Sequence, residues 1–257
     1  MYKQLLAAPL LLILFCLGSC QYENAEQLYK RNPDTPPNDS IPNDSIPNDT
    51  GSVVIGKKII LSIPFNNSVV DESDSQFTID VYGEPGLTTD RKGDPNSALY
   101  LNGEDQFLEI DCGQQDSISV SFWFVCSSGR SNYSSLFDYG ANAIRTDIDG
   151  YSGPTSFNVT AFYNNLDELN ANYNFQYFTW YHIYISACNQ PEIYVNGIKT
   201  GSIQKNVVLN LSTNKLIFGK SVHDDSGLEI YFHGLMDDIK VFNYPLANQQ
   251  IVDLYEE

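Results

Sequence analysis

His233–Leu246 reads HGLMDDIKVFNYPL. Leu235, Met236, Ile239, Val241 and Phe242 favour a strand, yet two adjacent carboxylates, Asp237 and Asp238, interrupt the run. Neighbouring strand residues point to opposite faces, so at least one acid shares a face with apolar side chains. Plain alternation puts Asp237 with Leu235, Ile239 and Val241. A carboxylate there is costly unless it is paired, hydrogen-bonded or bound to a metal.

Working outward, the same period of two recurs along the chain. SISVSFWFVC (117–126) alternates Ile118, Val120, Phe122 and Phe124 with serines and Trp123. WYHIYISA (180–187) places Tyr181, Ile183 and Ile185 on one face, and KLIFGKS (215–221) is a further short strand. EIYVNGIKTG (192–201) is a hairpin around Asn196-Gly197, a strong two-residue turn signal. Only LANQQIVDLYEE (246–257) shows helical spacing, through Leu246, Gln250, Ile251 and Leu254. Many short strands, frequent turns and one terminal helix predict an all-β sandwich.

The N-terminal region reads differently. Residues 1–19 have a basic start at Lys3 and an apolar core, LLAAPLLLILFCL, which is short for a membrane span. The core ends in LGSC (17–20), which resembles a bacterial lipobox. That resemblance implies cleavage before Cys20, acylation of this residue and a membrane anchor outside the cytoplasm. More than one acyl chain is what stable anchoring requires. Residues 20–52 contain PDTPPNDSIPNDSIPNDTGS, a low-complexity spacer without an apolar face. About twenty such residues span roughly 60 Å when extended. Its two DSI units resemble an O-glycosylation motif of some Gram-negative bacteria and make Ser40 and Ser45 candidate sites; turn chemistry accounts for them equally.

Residues 53–257 remain for one domain, enough for a substantial core. The formal charge of −18 and the lack of a basic cluster exclude nucleic acid as a partner. They also disfavour strongly anionic polysaccharides unless a cation bridges them. Besides Cys16 and Cys20 the chain has Cys112, Cys126 and Cys188, with no CxxC or Cys/His metal spacing. They read as buried thiols, although Cys126 and Cys188 each end an apolar run and could pair.

The motif order is informative. GDPNSALYLNGEDQFLEI, SISVSFWFV, WYHIYIS, IYVNGIKTG, LIFGKS and FHGLMDDIKVFNYPLANQQIVDLY succeed one another. This succession resembles the laminin-G-like, concanavalin A-like jelly-roll domains of bacterial surface proteins. The matching positions include Ala98, Leu99, Leu101, Gly103, Trp123, Trp180, His182, Tyr194, Asn196, Gly197, Gly234, Asp237, Asp238, Pro245 and Leu246. The resemblance implies two curved antiparallel sheets, with a glycan or protein site on the concave face or its rim. It also implies core positions for Trp123 and Trp180. It further implies a structural calcium held by Asp237 and an N-terminal acid, here Asp71, with backbone carbonyls.

Enzymatic activity is not expected. Retaining glycoside hydrolysis needs two facing carboxylates about 5 Å apart. LEIDCGQQD (108–116) offers Glu109 and Asp111 on one face, then Cys112 and Gly113 where a second catalytic acid would stand. No Ser-His-Asp, HExxH or phosphate-loop signature is present. Aromatics and asparagines concentrate between Tyr133 and Tyr184, a composition suited to stacking on sugar rings and bonding their hydroxyls. Tyr163, Asn164, Tyr173 and Tyr177 are the candidate contacts. The sequence therefore predicts a lipid-anchored, non-catalytic glycan-capture protein on the outer membrane of a Gram-negative cell. A surface protein partner is the alternative, and a glycoside hydrolase a distant third.

Overall fold

Short alternating strands each have one apolar face to bury, and two sheets packed face to face bury it most completely. The computed structural model describes residues 57–127, 133–150, 155–223 and 228–257 and shows that arrangement. Cys20, Ser40 and Ser45, with the leader and spacer, lie outside the described residues.

The first nine strands are β1 (Ile59–Ile63), β2 (Ile79–Tyr82), β3 (Gly86–Thr88), β4 (Ala98–Asn102), β5 (Phe107–Asp111), β6 (Ser119–Cys126), β7 (Tyr133–Tyr139), β8 (Ile144–Asp149) and β9 (Ser156–Tyr163). Then come β10 (Asp167–Asn170), β11 (Phe175–Gln176), β12 (Tyr181–Ser186), β13 (Glu192–Val195), β14 (Ile198–Ser202), β15 (Lys215–Phe218), β16 (Lys220–His223), β17 (Leu228–Tyr231) and β18 (His233–Phe242). The chain closes with helix α1 (Asn248–Glu256). The first sheet runs β14-β13-β12-β6-β18-β4-β3, with β1 also paired to β18. The second runs β10-β9-β8-β7-β15-β5-β2, with β11 also paired to β9, and β16–β17 form a separate ribbon. This is the antiparallel jelly-roll sandwich with a short C-terminal helix that the sequence predicts.

The inward faces interdigitate. β6 contributes Val120, Phe122 and Phe124, all fully buried. Across the interface the Phe122 ring meets Phe137 of β7 and Phe218 of β15 edge-on, with centroids 6.2 and 6.1 Å apart. Burying one such side chain contributes about 1.5–3 kcal/mol, so this layer dominates stability. Cys112, Cys126 and Cys188 are free and buried. Burial pushes the Cys112 and Cys126 thiols up to about 12, which keeps them unreactive.

α1 closes the outer face of the first sheet. Its fully buried Ile251 joins Tyr184, Tyr194, Phe242 and Leu246 in a second, smaller cluster. The Leu246 amide donates to the Tyr184 hydroxyl at 2.8 Å, and the Gln250 side-chain oxygen accepts from the Ala247 amide at 2.9 Å. The helical spacing of the last twelve residues thus docks one apolar face onto strands already held by the core.

Candidate functional site

β18 does not keep one phase. Three steps of β18, from Asp237 to Lys240, oppose two steps of β6, from Trp123 to Ser121. This is a β-bulge, and Asp238 takes the left-handed conformation (φ 47°) that it requires. Ile239 and Val241 therefore point into the core, whereas Asp237 points outward beside Leu235. The uninterrupted alternation expected from the sequence fails at this residue.

Asp237 is nevertheless only 2% exposed. It stands opposite Trp123, which itself stands opposite His182, making a row across β18, β6 and β12. Arg91, from the β3–β4 connection, closes the row. Its Nη1 lies 2.6 Å from an Asp237 oxygen and 2.8 Å from one of Asp238. Its guanidinium carbon sits 4.5 Å from the Trp123 ring centroid. The Tyr255 ring of α1 stacks on the same indole at 5.5 Å. Trp123, expected in the core, is thus half-buried on the outer face, and Trp180 is half-buried as well. His182 is buried and shares a 2.8 Å hydrogen bond with the Ser121 hydroxyl. Burial, with Arg91 and Lys240 nearby, lowers its pKa to about 3, so it is neutral at physiological pH.

These residues do not fit the calcium ion that the resemblance implies. A guanidinium occupies the cation position beside Asp237. Asp71 is committed elsewhere: one oxygen accepts from the Ser62 and Ser73 amides, and the other from the Ser73 hydroxyl and the Phe77 amide. It clamps the turn after β1. Among the described residues no group of three or more His, Cys, Asp or Glu side chains is arranged to hold a metal.

Burial and the Asp238 charge push the Asp237 carboxyl up to about 7, against the pull of Arg91. An unfolded aspartate titrates near ~3.9. The native state therefore holds this proton more tightly, and the stability it contributes is present below about pH 4 and lost as pH rises through about 7. Asp237→Asn removes that dependence. Urea unfolding from pH 4.5 to 8 should show the variant gaining on the parent, by at most about 1.4 kcal/mol per pH unit. His182 contributes with the opposite sign over part of that range, so the difference between the two proteins isolates Asp237. A difference constant with pH would contradict this assignment.

The outer face of the second sheet is polar. The outward positions of β8 are Arg145, Asp147 and Asp149; those of β9 are Asn158, Thr160 and Phe162; those of β10 are Glu168 and Asn170. On this face Tyr133, Asp147, Asp149, Thr160, Phe162, Glu168 and Asn170 line a cavity of about 240 Å³. Arg145, only 3% exposed, fixes its floor. Its Nε donates to Asp147 at 2.7 Å, and Nη1 donates to Asn142 at 2.7 Å and Asn165 at 3.1 Å. Its guanidinium lies 4.7 Å from the Phe162 centroid and holds that ring in place. The result is a rigid aromatic floor ringed by oxygen acceptors, suited to a ligand with an apolar ring face and several hydroxyls.

The four predicted contacts do not assemble there. Tyr163 is fully buried and donates to the Ser186 carbonyl at 2.9 Å, so it is a core residue. Asn164 is a turn residue (φ 53°) whose side chain donates to the Val208 carbonyl and accepts from the Asn210 amide, both at 2.8 Å. Tyr173 packs 5.1 Å from Phe175 and accepts from Asn196 at 3.3 Å. Tyr177 packs 5.1 Å from Phe157. Both are half-buried and flank the Phe157–Phe175 stack, away from the cavity lining. Of the acids weighed for catalysis, Glu109 pairs with Lys215 at 3.0 Å and Asp111 caps the Gly113 amide at 3.2 Å. The missed residues, Phe162, Thr160 and Asn170 above all, sit one step along the strand from core residues. Period two applied to SFNVTAFY marks Phe162 as outward.

The sequence profile described as the concanavalin A-like lectin/glucanases superfamily matches residues 101–252. Comparison with curated protein sequences finds no match. Among solved structures, the binding domain of botulinum neurotoxin serotype D/C is similar at TM-score 0.56 and 18% identity, over 77% of this chain and 51% of that one. A botulinum neurotoxin type C structure, described by its dependence on two ganglioside molecules for cell entry, gives TM-score 0.56 and 18% identity over 77% and 50%. Domain 4 of AbnA, a GH43 extracellular arabinanase from Geobacillus stearothermophilus in complex with arabinotriose, gives TM-score 0.56 and 17% identity over 77% and 98%. The chain spans about half the length of the toxin chains it matches. At these identities the likeness is one of fold.

Proposed function

This chain belongs to the concanavalin A-like lectin/glucanases superfamily, and from that premise we propose that it is a non-catalytic carbohydrate-binding protein whose site is the outer face of its second sheet. The observation that carries the reading is the Tyr133–Phe162 cavity, an aromatic floor fixed by Arg145 and rimmed by Asp149, Thr160, Glu168 and Asn170. A sugar ring stacks its apolar face on Phe162 and donates its hydroxyls to the rim oxygens. Two neighbours in fold support it: cell entry of botulinum neurotoxin type C depends on interaction with two ganglioside molecules, and domain 4 of AbnA is in complex with arabinotriose. The lack of catalysis is supported by Glu109 being tied to Lys215 and by the missing partner acid after Asp111. In this reading acylated Cys20 anchors the protein to the outer membrane, and residues 20–52 hold the domain away from the lipid.

The test is an array of plant and microbial polysaccharides probed with the purified chain. Phe162→Ala removes the stacking surface from a half-buried position. It should weaken binding by about tenfold or more, equivalent to roughly 1.4 kcal/mol, with little change in melting temperature. Undiminished binding by that variant would remove the site from this face. A folded protein that binds no glycan at all would move the function to a surface protein partner.

A further inference from the structure

At one end of the sandwich, connections from both sheets converge. The 203–214 connection, which follows β14, meets the turn between β9 and β10 and the turn between β12 and β13. Asn164 joins the first two: its side chain donates to the Val208 carbonyl and accepts from the Asn210 amide, both at 2.8 Å. The Val207 amide ties in the third by donating to the Asn189 carbonyl at 2.7 Å. Val207 is buried, and Leu209 and Leu211 pack against the core, so Val208 between them is turned outward. Leu166, in the clamped turn, is 82% exposed and Val208 77%, more than any other large apolar side chain among the described residues. The fold holds both loops in place yet leaves these two side chains in water, a cost that a partner removes.

Charge sets this end apart in a chain whose net charge is −18. Connections 112–118, 140–143, 164–166, 187–191, 203–214 and 243–247 together carry one carboxylate, Asp116, and one lysine, Lys205. Lys205 pairs with Asp167 at 2.7 Å. β1 starts at the same end, where the Asn243 amide donates to the Lys58 carbonyl, and it brings the exposed Lys57 and Lys58. Lysines therefore face any anionic surface that approaches from here. The two loop tips contain no aromatic ring and no arginine, the side chains that anchor protein interfaces. Short aliphatic side chains stand instead among the exposed amides of Asn165, Asn206 and Asn210, a mixture that suits the head-group and acyl boundary of a bilayer.

We propose that this end of the domain docks on a lipid bilayer, with Leu166 and Val208 entering the interfacial layer and Lys57 and Lys58 facing anionic head groups. The proposal is independent of the carbohydrate site and of acylation at Cys20. β1 to β18, α1 and both hydrophobic clusters lie within Val54–Glu257, so that piece holds the whole core and is the folding unit. The experiment is flotation of this piece with phosphatidylcholine vesicles and with vesicles that also contain phosphatidylglycerol. It should float with both, and more strongly with the second. Leu166→Ser combined with Val208→Ser should lower the partition coefficient about tenfold or more without changing the melting temperature. Lys57→Gln with Lys58→Gln should remove the preference for phosphatidylglycerol. Phe178→Ser, which alters a ring 72% exposed at the opposite end, and Phe162→Ala should both float like the parent. Absence of flotation, or flotation that the double serine variant retains, overturns the proposal. A dimer in sedimentation that the double serine variant loses also overturns it, by making the tips a contact between two copies. Each of these results leaves the carbohydrate reading standing, because the glycan array tests that separately.

Discussion

Arg91→Ala should destabilise the domain by about 3–5 kcal/mol at pH 8, the usual cost of leaving a buried partner charge uncompensated. For a domain of this size that lowers the melting temperature by roughly 10 °C. Arg91 lies 146 residues from Asp237 in sequence, yet it neutralises two carboxylates and covers the Trp123 ring. Without it, Asp237 stays almost wholly buried beside Asp238 and must either remain charged or take up a proton. The loss should therefore be smaller at pH 5 than at pH 8. Arg91→Ala combined with Asp237→Asn should recover part of it, since the orphaned charge is then gone. Thermal melts and urea titrations of the four proteins measure the coupling directly. Chelator should leave the parent unchanged. A calcium-dependent rise in melting temperature that disappears in Asp237→Asn would put a metal where Arg91 is assigned.

Gly234→Ala should be at least as damaging, costing about 4 kcal/mol or more. A Cβ at this position would lie 1.9 Å from the Val125 carbonyl oxygen and 2.7 Å from the Phe232 ring. Val125 belongs to β6, the strand that pairs with β18, so relief requires separating two central strands of the first sheet. A backbone oxygen cannot rotate away as a side chain can. Gly86→Ala is the control: on edge strand β3, nothing lies within 4 Å of the added carbon. It should change stability by less than about 0.5 kcal/mol. If Gly234→Ala melts with the parent, the close approach of β18 to β6 is misplaced, and with it the row that carries Asp237.

The architecture could be read from the sequence because period two and turn residues are local signals. SISVSFWFVC and WYHIYISA became β6 and β12 with Phe122, Phe124, Ile183 and Ile185 inward as alternation requires. The sites were harder to read, for two physical reasons. First, alternation carries no marker where a bulge resets it, so it puts Asp237 on the face of Ile239 and Val241 although Asp238 turns the strand over between them. Second, partners set what a polar residue does, and partners are tertiary. Nothing near Asp237 in sequence announces Arg91, and nothing near Asp71 announces that its four hydrogen bonds all stay within the first turn of the domain. Tyr163 is the instructive miss. It shares parity with Phe157, Val159 and Ala161, all core residues, while its neighbour Phe162 faces the cavity. Strict alternation within β9 picks Phe162, not Tyr163, as the ring that lines the cavity.

The most direct test of the central claim is hydrogen exchange of the purified chain with and without the polysaccharide that binds best. Protection should concentrate in peptides covering β8, β9 and β10. Protection confined instead to β6, β12 and α1, on the opposite side of the sandwich, would contradict it and place the ligand on the face that Arg91 and Tyr255 cover.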